Sequence, residues 1–139
     1  MFEFHGWATL ACQIDGSSEW RLDQEAARVV QKRLDSGVDD LRCAGVSYGN
    51  CITSVWYHGQ YNHRRSGPLD FLRFLGQHAP GSYGLLYLRE TEEGDTFEEM
   101  NRFEVWRLAR GELQQFDDPF LSPCIPTIEG PGRWLTPPA

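Results

Sequence analysis

The sequence predicts an α+β fold, with two helices on one face of a mostly antiparallel sheet of about five strands, and three observations carry that prediction. Phe2, Phe4, Gly6, Ala8, Leu10, Cys12 and Ile14 alternate with Glu3, His5, Trp7, Thr9, Ala11 and Gln13, the period of a strand with one buried face. Two other segments repeat apolar residues every three or four positions, the helical period. The elements then run strand, helix, strand, strand, helix, strand, strand. Two helices layered on one sheet satisfy that order most simply.

Each element has local reasons. Asp15-Gly16-Ser17-Ser18 reads as a turn in which Ser17 or Ser18 caps the next helix. From about Glu19 to Ser36, Leu22, Ala26, Val29, Val30 and Leu34 form one stripe, and Gly37 stops it. Strands over Asp40–Tyr48 and Cys51–His58 are joined at Gly49-Asn50, a short hairpin signal. A polar connection, Gln60–Ser66, leads to Ser66-Gly67-Pro68, which opens the second helix with proline in its first turn. Leu69, Leu72 and Leu75 supply that helix's core stripe, flanked by Phe71 or Phe74, and Ala79-Pro80-Gly81 ends it. Ser82–Glu90, rich in Tyr and Leu, reads as a strand buried on both sides. Glu92–Asn101 reads as an acidic loop, Arg102–Arg110 as the next strand, and Gly111 as a turn into a short edge strand through Phe116. Asp117–Ala139 holds six of the eight prolines and is irregular. Its Phe120, Leu121, Ile125, Ile128, Trp134 and Leu135 are too apolar for a free tail, so it should lie across the body of the fold.

At 139 residues the chain is expected to form a single domain, 1–139, with a core that needs neither disulfide nor metal. No run approaches the roughly 18 apolar residues that span a bilayer. A core strand starting at residue 2 leaves no room for a signal peptide, so a cytoplasmic location is expected. The net charge of −7 is uneven. Ten acids between Arg89 and Asp118 meet four arginines, whereas residues 1–88 carry nine acids and eight bases. Such a field disfavours nucleic acid and anionic membranes and favours a basic partner. A solvated loop that only maintains solubility would have the same composition.

Chemistry-bearing patterns are sparse. Cys12, Cys43, Cys51 and Cys124 contain no CxxC pair, and the strand-like runs around three of them suggest small, buried, inert hydrophobes. His58 and His63 are five apart with no acid between them, and HExxH, GxSxG, phosphate-loop and dinucleotide patterns are absent. No cofactor or metal is therefore expected, and no catalytic residue is assigned. A thiol enzyme assembling Cys43 or Cys51 with His5 or His58 is the enzymatic rival. Trp7 lies opposite the Phe2–Phe4–Leu10 face, so it points to the far side of the sheet, where Trp56 joins it if the register allows. Beside the acidic loop, such a pair has the composition of a protein-binding hot spot, unless the proline-rich segment folds over it.

Phe4-His5-Gly6-Trp7 at the start of the first strand, with the element order that follows and the chain length, resembles the immunity protein 7 family of bacterial polymorphic toxin systems. The resemblance implies a small cytoplasmic α+β protein that binds and neutralises a toxin domain encoded beside it. It implies no catalytic residue, and structural duty for Gly6. The expected partner surface is Glu92, Glu93, Asp95, Glu98 and Glu99 with Trp7 and Trp56. The alternative is a cytosolic scaffold or regulator that uses the same surface without a toxin.

Overall fold

The computed structural model describes residues 1–17 and 19–130. Strand β1 (Phe2–Leu10) leads to helix α1 (Trp20–Ser36), then to the hairpin β2 (Cys43–Gly49) and β3 (Ile52–Tyr61). Helix α2 (Gly67–His78), strand β4 (Tyr83–Glu90), the short helix α3 (Phe97–Met100), and strands β5 (Glu104–Ala109) and β6 (Glu112–Asp117) follow. The six strands form one antiparallel sheet in the order β2-β3-β1-β4-β5-β6. Strand β1 pairs on both sides, with β3 and with β4.

One face of the sheet is the core. Phe2, Phe4, Ala8 and Leu10 of β1 meet Val55 and Tyr57 of β3, Leu86 and Leu88 of β4, and Leu108 of β5. Helix α1 covers the β1–β2–β3 half with Ala26 and Val30, and α2 covers the β1–β4–β5 half with Phe71, Leu72 and Leu75. Each large side chain taken out of water there contributes roughly 2–3 kcal/mol before the entropy of ordering it is charged. Arg33 of α1 donates two hydrogen bonds, 2.7 and 2.8 Å, to the buried carboxylate of Asp39, with its guanidinium over the Phe74 ring. That pair fixes the α1–β2 connection against α2.

Gly6 sits in this layer opposite Tyr57. A Cβ placed on it would lie 2.3 Å from Tyr57 Cζ, so the Tyr57 ring occupies the space a side chain would need. Tyr57 is fully buried, packs edge-on against Phe71 and donates a long hydrogen bond to the Pro68 carbonyl. The glycine therefore allows a tyrosine to join the sheet to the start of α2.

Several sequence expectations need correcting. Strand β1 stops at Leu10, and Ile14 is exposed in the turn. Glu19 occupies the cap position of α1, and no side chain among the described residues, Ser17 included, makes a cap hydrogen bond; Ser18 lies outside the described residues. Leu22 is exposed, and the buried stripe of α1 begins at Ala26. The hairpin turns at Asn50-Cys51, both in the left-handed region, rather than at Gly49-Asn50. Strand β4 alternates: Gly84, Leu86 and Leu88 are buried while Tyr83 is exposed, so it has one covered face. The acidic segment contains a helical turn. The cysteines are not core residues: Cys43, Cys51 and Cys124 are exposed and Cys12 is partly buried. Cys43 falls on the outward parity of β2, and Cys51 is at the turn. Burial of the Cys12 thiol, with its neighbour Asp23, pushes its pKa up to about 11.

Candidate interaction surface

The outer face of the sheet is built by the alternate residues of the same strands. Antiparallel register places Gly45, Trp56, Trp7, Leu85, Arg107 and Gln114 in one row across all six strands. The row beside it runs Cys43, His58, His5, Tyr87, Val105 and Phe116. Trp7 and Trp56 are thus direct cross-strand partners, 44% and 42% exposed. The Trp56 indole lies over Gly45: a Cβ there would be 2.6 Å from its Cζ2. Tyr83 meets the Trp7 ring edge-on at 6.3 Å. Holding indoles in place before a partner arrives reduces the entropy lost on binding.

The proline-rich segment covers a different part of this face. The Asn101 side chain accepts hydrogen bonds from the Cys124 and Ile125 amides and donates to the Ile125 carbonyl. The Arg89 guanidinium donates to Cys124 Sγ, to the Met100 carbonyl and to Glu3. These ties hold the segment at the Arg89 end of the sheet, and no described residue covers the two tryptophans to the extent of burying them. The described part of the segment is irregular and lies against the sheet at that end, although Phe120, Leu121, Ile125 and Ile128 remain exposed; Trp134 and Leu135 fall outside the described residues.

Acidic residues gather elsewhere. The chain leaves β4 beside the start of β1, where Met1 and Thr91 exchange two hydrogen bonds. Glu92, Glu93, Asp95, Glu98 and Glu99 therefore stand off that end of the sheet. Trp7 is five residues further along β1, about 17 Å at strand spacing. The structure does not bring the acidic loop directly beside the tryptophans. Glu93 and Glu98 are exposed, and Glu92 faces His63 at 3.7 Å. Asp95 accepts the Glu92 amide proton. Glu99 is committed to a capping box, in which its carboxylate accepts the Thr96 amide and Thr96 Oγ1 accepts the Glu99 amide. The Thr96 amide holds the Glu99 carboxyl below its ordinary pKa.

Sequence reasoning missed how these acids extend. Glu90, Glu92, Asp95, Glu99, Glu104 and Asp117 line one groove of about 360 Å³. Arg64, from the connection before α2, reaches into it and bonds Glu90 and both Glu104 oxygens at 3.1–3.3 Å. Burial works to raise the Glu104 carboxyl, but hydrogen bonds from Arg64 and Trp106 outweigh it and leave it below the ordinary range. Arg102 is the other basic residue in the lining, so the groove remains negative. The Thr96-x-x-Glu99 spacing was a readable capping signal, whereas nothing local marks Arg64.

The residues of the thiol alternative also converge in part. Cys43 lies directly across from His58, and His58 across from His5, whose ring contacts Glu3 at 3.2 Å. Among the described residues no three His, Cys, Asp or Glu side chains are grouped closely enough to hold a metal ion.

An antiparallel sheet with two long helices on one face and exposed, braced aromatics on the other defines a small α+β protein with one sheet face left open. The family model described as immunity protein 7 matches residues 1–130, and the chain belongs to that family. Membership makes it an immunity protein of toxin systems, a class that binds a cognate toxin protein. No curated protein and no solved structure matches the chain. No helix among the described residues is long and apolar enough to cross a membrane.

Proposed function

We propose that this chain, as a single domain over 1–139, neutralises a toxin domain in the cytoplasm by occluding it, with no chemistry of its own. The observation that carries the reading is the Trp7–Trp56 pair, two large aromatic side chains left open on the outer face of a sheet whose inner face is full. Isolated exposed hydrophobics need no explanation, but braced neighbouring indoles have the make-up of a binding hot spot. The preferred toxin is basic, a nuclease in particular, because a nucleic-acid groove carries the positive field that the Glu90–Asp118 stretch complements. The separation of the two features suits separate roles. Acids at the end of the sheet steer encounter and raise the on-rate, while the tryptophans limit dissociation.

Surface plasmon resonance against the toxin domain encoded beside the gene tests this. Changing Glu92, Glu93 and Glu98 to Gln and Asp95 to Asn is expected to slow association about ten-fold at low salt and flatten its salt dependence. Dissociation and folding stability should hardly move. Unchanged association at every salt concentration would make the loop a solvated loop and place the interface on the sheet alone.

A further inference from the structure

A second recess opens on the same outer face, two strands from Trp7. Leu85, the β4 neighbour of Trp7, forms its near wall, and Tyr87, Val105, Phe116, Pro119 and Phe120 supply most of the rest. It holds about 250 Å³, enough for one long side chain. Most of its lining is apolar, yet Asp118 forms part of it, only 6% exposed. Asp118 Oδ2 accepts the Leu121 amide at 3.0 Å, while Oδ1 is buried without a hydrogen-bond partner among the described residues. A buried carboxylate oxygen left unpaired is costly, and native structures rarely keep one without a use.

Nothing nearby in the described residues supplies the missing donor: Tyr87 lines the recess, and burial together with the Asp118 charge pushes its phenol pKa up, but its hydroxyl makes no hydrogen bond to Oδ1. Arg107 lines the recess, but its guanidinium sits over the Phe116 ring and bonds Gln114 Oε1 at 2.7 Å. Asp117, beside Asp118, lines both this recess and the acidic groove, adding negative charge at the mouth. The occupant must then combine an apolar stem with a cationic, multiply donating head. Arginine does so better than lysine. Its guanidinium is less strongly hydrated, stacks on aromatic rings, and gives several donors in a fixed fork.

We propose that the recess between β4, β5, β6 and the Asp118–Leu121 turn seats an arginine side chain of the protein partner, its stem against Leu85, Phe116 and Phe120 and its guanidinium on the Asp118 carboxylate, whose Oδ1, closed to solvent in the unbound chain, turns toward the recess as the arginine enters. This deepens the toxin-binding reading and rests on it for the source of the arginine. Continuity with the Trp7 row makes the recess and the tryptophans one surface, with the arginine seated about two strand spacings from the Trp7 indole.

Titration of the ¹⁵N-labelled full chain with acetyl-Leu-Arg-Leu-amide, followed by amide shifts, needs no toxin. Saturable shifts confined to Leu85, Val105, Arg107, Phe116 and Phe120 are expected. Acetyl-Leu-Gln-Leu-amide should bind at least about ten-fold more weakly, as should the arginine peptide to Asp118→Asn. Phe120 is 70% exposed, so Phe120→Ala should fold normally and weaken the arginine peptide about three-fold, which keeps the test valid if Asp118→Asn unfolds. Equal binding of the two peptides, or shifts elsewhere on the chain, would overturn the assignment. A cognate toxin that binds Asp118→Asn as tightly as the parent overturns this recess but leaves the immunity reading intact. A recess that seats the arginine peptide in a chain that binds no toxin supports the site and removes that reading.

Discussion

The two faces of this sheet come from the same strands and obey opposite rules. On the inner face, Phe4 and Tyr57 are closed in by two helices, and Gly6 is small because a ring needs its place. On the outer face, Trp7 follows Gly6 and Trp56 precedes Tyr57 in sequence, comparable in size and about two-fifths exposed. Here too a glycine yields to a ring, Gly45 beneath Trp56, but the ring is left open to solvent. Within Phe4-His5-Gly6-Trp7, then, alternate positions serve different ends. Phe4 and Gly6 lie in the core layer, while His5 and Trp7 lie on the open outer face.

Substitutions should separate the faces by size of effect. Gly6→Ala forces a Cβ into the Tyr57 ring and is expected to cost about 3 kcal/mol in urea unfolding. Pairing it with Tyr57→Leu should recover part of that loss, which a defect confined to strand propensity would not allow. Arg33→Ala leaves the Asp39 carboxylate buried without its partner and is expected to lower stability by about 2–3 kcal/mol. A change below about 0.5 kcal/mol would mean that Asp39 finds another donor or water.

The turn offers a smaller effect of opposite sign. Asn50 and Cys51 both have positive φ, 50° and 62°, as a type I′ hairpin turn requires, and asparagine-glycine is the preferred pair there. Cys51→Gly should therefore stabilise the protein by about 0.5–1 kcal/mol, read as a rise in urea midpoint at unchanged m-value. The smallest effect is chemical. Iodoacetamide at pH 7.5 should modify Cys43, Cys51 and Cys124 in the folded protein, with Cys12 protected until denaturation. Rapid reaction of an exposed cysteine is thus no evidence for a thiol enzyme. Protection of Cys43 alone, lost in His58→Ala, would show a thiol–imidazole contact that the pairing only permits.

What could be read from the sequence follows the range of the physics involved. Helix α2 was legible to the residue, since Ser66-Gly67-Pro68 and Ala79-Pro80-Gly81 mark its ends locally. The alternation of β1 likewise put Trp7 on the outer face. Cysteine burial was misread because it depends on the parity of Cys43 within β2, which is fixed by pairing with β3 and not by neighbouring residues. The acidic segment hid a helical turn whose capping box was present in Thr96 and Glu99. Registers such as Trp7 with Trp56, the reach of Arg64 to Glu104, and the recess around Asp118 join residues distant in the chain. One sequence carries no signal for them.

The division of labour between the faces is tested most directly by measuring toxin affinity and urea stability together on Trp7→Ala and Trp56→Ala. Each should lose at least about ten-fold in affinity, mainly through faster dissociation, while stability stays within about 1 kcal/mol of the parent chain. Unchanged affinity in both variants, with stability equally unchanged, would contradict the assignment of the outer sheet face as the surface that holds the toxin.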